Sequence, residues 1–276
     1  MSRLAFRHEA MATYFEIELE GADPAYGRAA AAAAFRELDR LEGELSRYVE
    51  SSDISRANRL AAGASTVIGD DAMECLLVAA GVAASTGRAF DPAYASGPGE
   101  SGAPAFALDP AAHVLTARSS PLRLDLGAVG KGFALDRLAG VLREWGVGSA
   151  LLNSGGSTAL ALGSRGAEGG WAVAMGEAPH RRQLRLRGTA LSGSGVAVKG
   201  AHVVDPRSGR AATRAERAWA HAPNAALADA LSTAFFVMSD AEVAAFCAEH
   251  EGVGAALARP DGSLALHGTL AAGPYE

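Results

Sequence analysis

One carboxylate and two hydroxyls interrupt an otherwise apolar segment near the C-terminus, "ALADALSTAFFVM". Asp229 and Thr233 are four residues apart, so on a helix they share one face, and Ser232 lies within reach of the same carboxylate. Burial of such a carboxylate without a partner is costly, and oxygen ligands of this kind suit a hard cation such as Mg²⁺. The alternative is a helix N-terminus, where the dipole favours Asp229 and Thr233 bonds back to a carbonyl. We favour the metal site, because Pro223 and Asn224 already mark the helix start.

A lysine between two glycines is the second chemical candidate, in "LDLGAVGKGFALD". Gly130 and Gly132 allow the backbone to approach a ligand closely, and Lys131 offers a compact positive charge to a phosphate. A helix predicted to start near Phe133 would direct backbone N–H groups to the same place. The spacing differs from the phosphate-binding pattern G-x-x-x-x-G-K-[ST], so on this segment alone an exposed turn lysine is the better interpretation.

Two further segments carry polar residues at the ends of predicted strands. "LLNSGGSTALALG" places Asn153 before Gly155 and Gly156, which by itself indicates a tight turn with an Asx-type hydrogen bond. "AHVVDPRSGR" places His202 near the end of a strand, where an imidazole could act as a general base near neutral pH. A structural histidine beside a surface turn explains that segment equally well.

The elements that must position these residues mix strands and helices without a regular βαβ period. We therefore predict an α+β fold of mixed, largely antiparallel sheets flanked by helices, in a single domain covering residues 1–276. Helical periodicity and capping signals predict helices over 23–48, 52–60, 70–87, 133–146, 226–238 and 240–250. Alternation and turn residues predict strands within 13–21, 113–117, 122–127, 149–163, 170–176, 182–205 and 255–268, and a loop over 93–105.

Composition and charge exclude several classes of protein. The 276 residues are 49% hydrophobic and 20% charged, with a net charge of −6, which is typical of a globular chain. We expect no nucleic-acid partner, which would need a basic excess, and no transmembrane segment. Cys75 and Cys247 are predicted to be buried thiols in a reducing compartment. The N-terminal segment is typical of a strand and not of a signal peptide, which predicts a cytoplasmic location.

These segments, in this order, resemble the ApbE family of FAD:protein FMN transferases. Eight motifs in one order over about 230 residues form a far more specific pattern than any of them alone. The motifs are "MATYFEI", "LSRYVESSDISRANR", "AFDPA", "LDLGAVGKGFALDR", "LLNSGGS", "ALSGSG", "AHVVDPRSGR" and "ADALSTAFFVM".

The resemblance implies a Mg²⁺-dependent transfer of FMN from FAD to a Ser or Thr hydroxyl of an acceptor flavoprotein, with release of AMP. It implies Mg²⁺ ligation by Asp229, Thr233 and the backbone carbonyl of Gly130. It also implies contact of Lys131 with the FAD phosphates and a role for His202 as the base for the acceptor hydroxyl. The positions that it assigns to the FAD pocket are Met11, Thr13, Asp91, Asp125, Asn153, Gly155, Gly156, Ser192 and Gly193.

The chain departs from the family pattern at three motif positions and in two shortened intervals. Ala12 stands where glycine is usual, Ala93 lacks a hydroxyl, and Ser157 replaces a carboxylate. Two other functions therefore stay open: a non-catalytic flavin or nucleotide binder, and an FAD pyrophosphatase that uses water as the acceptor. A positioned base such as His202 favours the transferase over the binder. No segment matches the family's acceptor pattern D-G-x-[ST]-G-[AST]-T well, so we do not expect self-modification.

Overall fold

All six predicted helices are present in the computed structural model. It describes residues 3–96, 103–166, 169–176, 178, 180–195, 203–212, 215–259 and 261–272. The helices among them are α1 (Pro24–Leu45), α2 (Asp53–Ala57), α3 (Asp70–Ser85), α4 (Gly130–Glu144), α5 (Ala225–Val237), α6 (Asp240–Glu249) and α7 (Thr269–Ala272), with a short 3₁₀ turn at Tyr94–Ser96.

Side chains cap the predicted helix starts. Asp23 accepts hydrogen bonds from backbone N–H groups in the first turn of α1, and the Ser52 hydroxyl accepts one from Ser55 at the start of α2. Asn224 caps α5, as its sequence position indicated. These caps satisfy backbone N–H groups that have no partner within their own helix.

Eight strands form one sheet in the order β1-β2-β6-β7-β10-β13-β14-β15, and every neighbouring pair is antiparallel. Two smaller sheets and a two-residue hairpin complete the described strands, in the orders β3-β5-β4, β8-β9 and β11-β12. The strands are β1 (Arg3–Ala10), β2 (Thr13–Glu20), β3 (Ser65–Val67), β4 (Phe106–Asp109), β5 (Val114–Ala117), β6 (Ala150–Ser154), β7 (Thr158–Leu162), β8 (Trp171–Met175), β9 (Arg182–Leu186), β10 (Ala190–Gly195), β11 (Val204–Asp205), β12 (Arg210–Ala211), β13 (Arg217–Ala222), β14 (Gly254–Ala258) and β15 (Leu264–Gly268).

The two faces of the large sheet are buried by different elements. In β13, Ala218 and Ala220 belong to the main core, whereas Trp219 between them belongs to a second apolar cluster. Successive side chains of a strand point to opposite faces, so the two clusters lie on opposite sides of the sheet. Helix α5 packs into the main core, and the β8–β9 ribbon supplies Trp171 and Leu186 to the other cluster. The fold is thus α+β with antiparallel sheets, as predicted.

Two sequence predictions around residue 125 are wrong. Residues 122–127 form no strand, because a side chain and a loop carbonyl bond the backbone groups that a neighbouring strand would otherwise bond. Asn58 bonds both the N–H and the C=O of Leu124, and the Asp125 N–H bonds the Pro92 carbonyl. Helix α4 begins at Gly130 rather than near Phe133. Lys131 therefore lies in the first helical turn, not in a bend before it.

No described helix is both long enough and apolar enough to cross a membrane. The structure buries both thiols, Cys75 and Cys247, as predicted.

Candidate functional site

Helices α4 and α5 approach each other so closely that only glycine fits at position 132. A Cβ placed on Gly132 would lie 2.1 Å from the Ala225 carbonyl oxygen and 2.8 Å from Asp229 Cβ. The Gly132 N–H donates to Asp229 Oδ2 at 3.1 Å. The glycine after Lys131 thus serves helix packing, and it places the first turn of α4 directly against the Asp229 carboxylate.

Asp136, one turn further along α4, fixes the start of α5. Its two carboxylate oxygens accept hydrogen bonds from the N–H groups of Ala225 and Ala226, both at 2.8 Å. Burial raises the pKa of Asp136, and those two hydrogen bonds oppose the rise. A carboxylate at a helix N-terminus is stabilised by the helix dipole. Asp136 therefore holds α5 in one position relative to Lys131.

Lys131 and Asp229 come together at the contact between α4 and α5. Lys131 Nζ lies 3.8 Å from Asp229 Oδ2 and donates to the Gly127 carbonyl at 2.5 Å. Asp229 is only 5% exposed, whereas Lys131 is partly accessible. The two residues form an ion pair with its cationic end toward solvent, which is a suitable place for an anion to approach.

Hydroxyl groups surround the other oxygen of Asp229. Thr158 Oγ1 and Ser192 Oγ each lie within hydrogen-bond distance of Asp229 Oδ1, at 3.3 Å, and the two hydroxyls bond each other at 2.9 Å. Thr158 and Ser192 face each other across the β7–β10 pair, and both are buried. The large sheet thereby fixes the orientation of the carboxylate.

Thr233 lies on the same side of α5 as Asp229, next to β10. Its Oγ1 is 3.2 Å from Ser194 Oγ, which is 2.8 Å from Ser232 Oγ. Ser232 donates to the backbone carbonyl of Asp229 at 2.8 Å. The back-bond expected for Thr233 in the simple helix-start interpretation is thus made by Ser232. Asp229, Thr233 and their hydroxyl neighbours form one oxygen-rich cluster.

The predicted pocket residue Asp125 connects to this cluster through the chain before α4, and its N–H bonds the carbonyl of Pro92, the residue after Asp91. Asp125 Oδ1 accepts from the Gly127 N–H at 2.9 Å, and the Gly127 carbonyl is the oxygen that Lys131 contacts. Asp91 Oδ1 accepts from the Ala93 N–H at 2.8 Å, and its other oxygen pairs with Arg88. Both carboxylates brace their own loops.

The β1–β2 turn and the β6–β7 turn meet at one edge of the oxygen-rich cluster. A Cβ on Gly155 would lie 2.4 Å from Thr13 Oγ1, so the two turns touch. Gly155 and Gly156 have φ of +56° and +67°, a conformation that glycine adopts without strain. Asn153 Oδ1 accepts from the Gly156 N–H at 3.1 Å, which is the Asx-type turn that the sequence indicated.

The remaining predicted pocket positions extend this edge. The Gly193 N–H donates to the Ser157 carbonyl at 2.8 Å, which links the Gly155–Gly156 turn to β10. Met11 and Ala12 form the β1–β2 turn, with φ of +51° and +56°, and Glu42 accepts from the Met11 N–H at 2.8 Å. An open surface depression of about 500 Å³ lies beside that turn; its lining residues are Glu9, Ala10, Ala12, Thr13, Tyr14 and Glu42.

The predicted base, His202, lies outside the described residues. The structure does describe the segment that follows it, where β11 and β12 form a hairpin. Arg207 at its turn bonds Asp205 and also Glu242 at the start of α6. The Asp-Pro turn is therefore fastened to the helical layer.

The donor set fits a hard divalent cation that shares its site with an anionic ligand. The donors at the cluster are a carboxylate and hydroxyls, which suit Mg²⁺ better than a softer metal. No group of three or more His, Cys, Asp or Glu among the described residues could hold a metal by itself. The nearby Cys75 is fully buried, and burial raises its thiol pKa, so it offers no thiolate.

Sequence reasoning missed three residues that build this cluster: Asp136, Thr158 and Ser194. Asp136 belongs to the quoted motif "LDLGAVGKGFALDR", which was an available signal. Thr158 and Ser194 become relevant only through the pairing of β7 with β10 and the packing of α5 on β10. That pairing joins segments far apart in the chain and could not be read from local patterns.

Comparison with known proteins gives one family. The family model described as "ApbE family" matches residues 11–97 and 100–257. A curated relative, the FAD:protein FMN transferase of Salmonella typhimurium (strain LT2), is 32% identical over 120 residues. That aligned stretch covers 37% of this chain and spans about a third, 33%, of the relative's length.

Three solved structures share the fold over nearly the whole chain. The flavin transferase ApbE from Vibrio cholerae matches with a TM-score of 0.83 at 18% identity, covering 99% of each chain. The apo form of the Pseudomonas stutzeri flavinyl transferase ApbE matches with a TM-score of 0.82 at 22% identity, covering 96% of this chain and 95% of the other. The ApbE protein of Thermotoga maritima matches with a TM-score of 0.81 at 21% identity, covering 100% of both. At these identities the likeness shows the fold alone.

Proposed function

Because this chain belongs to the ApbE family, we propose that it is a Mg²⁺-dependent FAD:protein FMN transferase. FMN passes from FAD to a Ser or Thr hydroxyl of an acceptor flavoprotein, and AMP leaves. The observation that best supports this proposal is the Lys131–Asp229 pair, 3.8 Å apart, within an oxygen-rich cluster. Pyrophosphate chemistry requires a positive charge that binds phosphate oxygens and, beside it, an oxygen ligand for a hard metal ion.

Charge balance explains why a single carboxylate is enough to bind a divalent cation at this site. Asp229 and Lys131 neutralise each other, so a divalent cation added alone would leave two uncompensated positive charges. The pyrophosphate of a dinucleotide supplies two negative charges and restores neutrality. Mg²⁺ is commonly bound by one or two carboxylates together with substrate phosphates. We therefore expect Mg²⁺ and FAD to increase each other's affinity.

The proposed roles follow from these positions. Asp229, Thr233 and the Gly130 carbonyl hold the cation, which when bound supplies Lewis-acid stabilisation of the pyrophosphate. Lys131 binds a phosphate oxygen, and His202 removes the proton of the acceptor hydroxyl. The new bond joins the FMN phosphorus to the acceptor oxygen, and the broken bond is the P–O bond to AMP.

The other predicted positions bind FAD in this proposal. The turns that meet at Thr13 and Gly155 and the middle of β10 at Ser192 and Gly193 form one continuous edge beside Asp229. Met11, Asn153 and Gly156 belong to those turns, and Asp91 and Asp125 brace the loops that follow α3 and precede α4.

Release of AMP tests the function directly. The protein is incubated with FAD, Mg²⁺ and a domain carrying a D-G-x-[ST]-G-[AST]-T segment, and AMP is measured with and without the acceptor. AMP that requires the acceptor supports transfer, together with a flavin that stays on the acceptor after denaturation. AMP in both reactions indicates a pyrophosphatase, and no AMP in either indicates a binder.

Asp229→Ala should remove most of the activity, by about 100-fold or more, because the cation loses its charged ligand. The matched control is Asp39→Ala, an exposed carboxylate on α1 that pairs with His8, which should keep wild-type activity. Full activity of wild-type protein in EDTA would overturn the metal role.

A further inference from the structure

The hydroxyls beside Asp229 and Thr233 form a chain with a definite direction. It runs from Thr233 Oγ1 to Ser194 Oγ at 3.2 Å, then to Ser232 Oγ at 2.8 Å, and ends at the Asp229 backbone carbonyl at 2.8 Å. A hydroxyl donates one proton and can accept others, whereas a carbonyl oxygen only accepts. The last member therefore decides which way every proton in the chain points.

The direction follows step by step from the carbonyl. Ser232 gives its one proton to the Asp229 carbonyl, so in its contact with Ser194 it must accept. Ser194 then donates to Ser232, and in its contact with Thr233 it must accept in turn. The proton of Thr233 is thus directed at Ser194, and the oxygen lone pairs of Thr233 point elsewhere.

We propose that Ser194 is a positioning residue that orients the Thr233 hydroxyl so that its lone pairs face the cation site. This inference rests on the proposed function, since it takes Thr233 to be a ligand. A hydroxyl binds a cation through a lone pair, and its proton must then have an acceptor on the far side. Groups that hold metal ligands in this way commonly change metal affinity by about 10-fold to 100-fold when removed.

In this hydrogen-bonded chain, Ser232 affects the Thr233 hydroxyl without contacting it. Ser232 is fully buried, and its described contacts are with Ser192, Ser194 and the Asp229 carbonyl rather than with Thr233. Its removal nevertheless frees Ser194 to turn its proton toward Thr233, which would reverse the Thr233 hydroxyl. If only direct contacts with Thr233 mattered, removal of Ser232 would not change the orientation of the Thr233 hydroxyl. A substitution of Ser232 therefore distinguishes an effect of hydroxyl orientation from an effect of packing.

Binding of Mn²⁺ to the FAD-saturated protein tests the inference without reference to turnover. Mn²⁺ shares the oxygen-ligand preference of Mg²⁺, and its free fraction is measured by electron paramagnetic resonance. Ser194→Ala and Ser232→Ala should each weaken Mn²⁺ binding about tenfold. Ser194→Thr retains the hydroxyl and should bind close to wild type. The matched control is Ser65→Ala, on the exposed strand β3, which should not change binding.

The possible outcomes separate the two proposals. If the FAD-bound wild type binds no Mn²⁺ or Mg²⁺, the proposed metal dependence is wrong, and the Ser194 inference falls with it. If wild type binds while folded Ser194→Ala and Ser232→Ala bind equally well, the inference is wrong and the proposed function stands. Far-ultraviolet circular dichroism establishes that each variant is folded, and retention by Ser194→Thr shows that a loss in Ser194→Ala comes from the hydroxyl.

Discussion

The contact between α4 and α5 predicts opposite effects for two glycine substitutions in one helix. Gly132→Ala should destabilise the protein, whereas Gly140→Ala should stabilise it. The added Cβ at position 132 would lie 2.1 Å from the Ala225 carbonyl oxygen, and such contacts essentially never fall below 3.0 Å, so the helices must separate by about 0.9 Å. At position 140 the same Cβ would meet nothing within 4 Å.

The magnitudes come from three contributions. Overpacking of a well-packed interior costs about 1–3 kcal/mol, and loss of the Gly132 N–H bond to the Asp229 carboxylate costs about 1.5–3 kcal/mol. Replacing glycine by alanine in a helix returns about 1 kcal/mol. We expect Gly132→Ala to lose about 3 kcal/mol of unfolding free energy, and Gly140→Ala to gain about 1 kcal/mol.

Urea unfolding followed by circular dichroism measures both changes, and thermal unfolding should show a fall in Tm of roughly 6–12 °C for Gly132→Ala. Gly132→Ala should also weaken Mg²⁺ binding, because separation of the helices moves the Gly130 carbonyl on α4 away from Asp229 on α5. A Gly132→Ala protein as stable as Gly140→Ala would refute the reasoning, since both carry the same change in helix propensity.

Three further predictions test other parts of the molecule. Lys131→Ala should weaken FAD binding by about tenfold to 100-fold but leave riboflavin binding unchanged in a fluorescence titration. The reason is that the lysine binds phosphate, which riboflavin lacks. Equal losses of affinity for FAD and riboflavin would contradict that role. Ala12→Gly should raise the unfolding free energy by about 0.5–1 kcal/mol in urea titrations, since Ala12 has a φ of +56° that glycine adopts without strain; an unchanged or lower value would argue against strain at this turn. His221 lies between the hydroxyls of Thr189 and Thr269, and burial lowers its pKa below the ordinary value of 6.5. The unfolded chain therefore binds protons first, so stability should fall as pH drops below about 6.5, and His221→Gln should flatten this dependence in urea titrations between neutral and mildly acidic pH.

Local patterns were sufficient for much of the fold. The alternation in "TYFEIELE" became β2, and Asn224 caps α5 as its position before an apolar run indicated. The resemblance to one family also led us to expect Gly130 and Asp229 at one cation, and Lys131, the neighbour of Gly130, does lie beside Asp229. Such features depend on residues close in sequence or on a pattern already known.

The failures concern interactions between distant segments. "LRLDLG" alternates like a strand, but Asn58, more than sixty residues earlier, takes both backbone groups of Leu124. Helix α4 begins at Gly130, and the fit of Gly132 against α5 joins residues 97 positions apart, which no local signal reports. The hydroxyl neighbours of Asp229 were missed for the same reason, since β7 and β10 pair across a long stretch of chain.

Helix α5 is buried along nearly all its length, and this burial bears on how long the carboxylate and the lysine stay together. An enclosed helix cannot fray or tilt by itself, so its amide hydrogens should exchange with deuterated water only when the whole core opens. The lifetime of the Asp229 arrangement would then equal the lifetime of the folded molecule. Ligands arriving at it would encounter a rigid partner rather than one that must first be ordered.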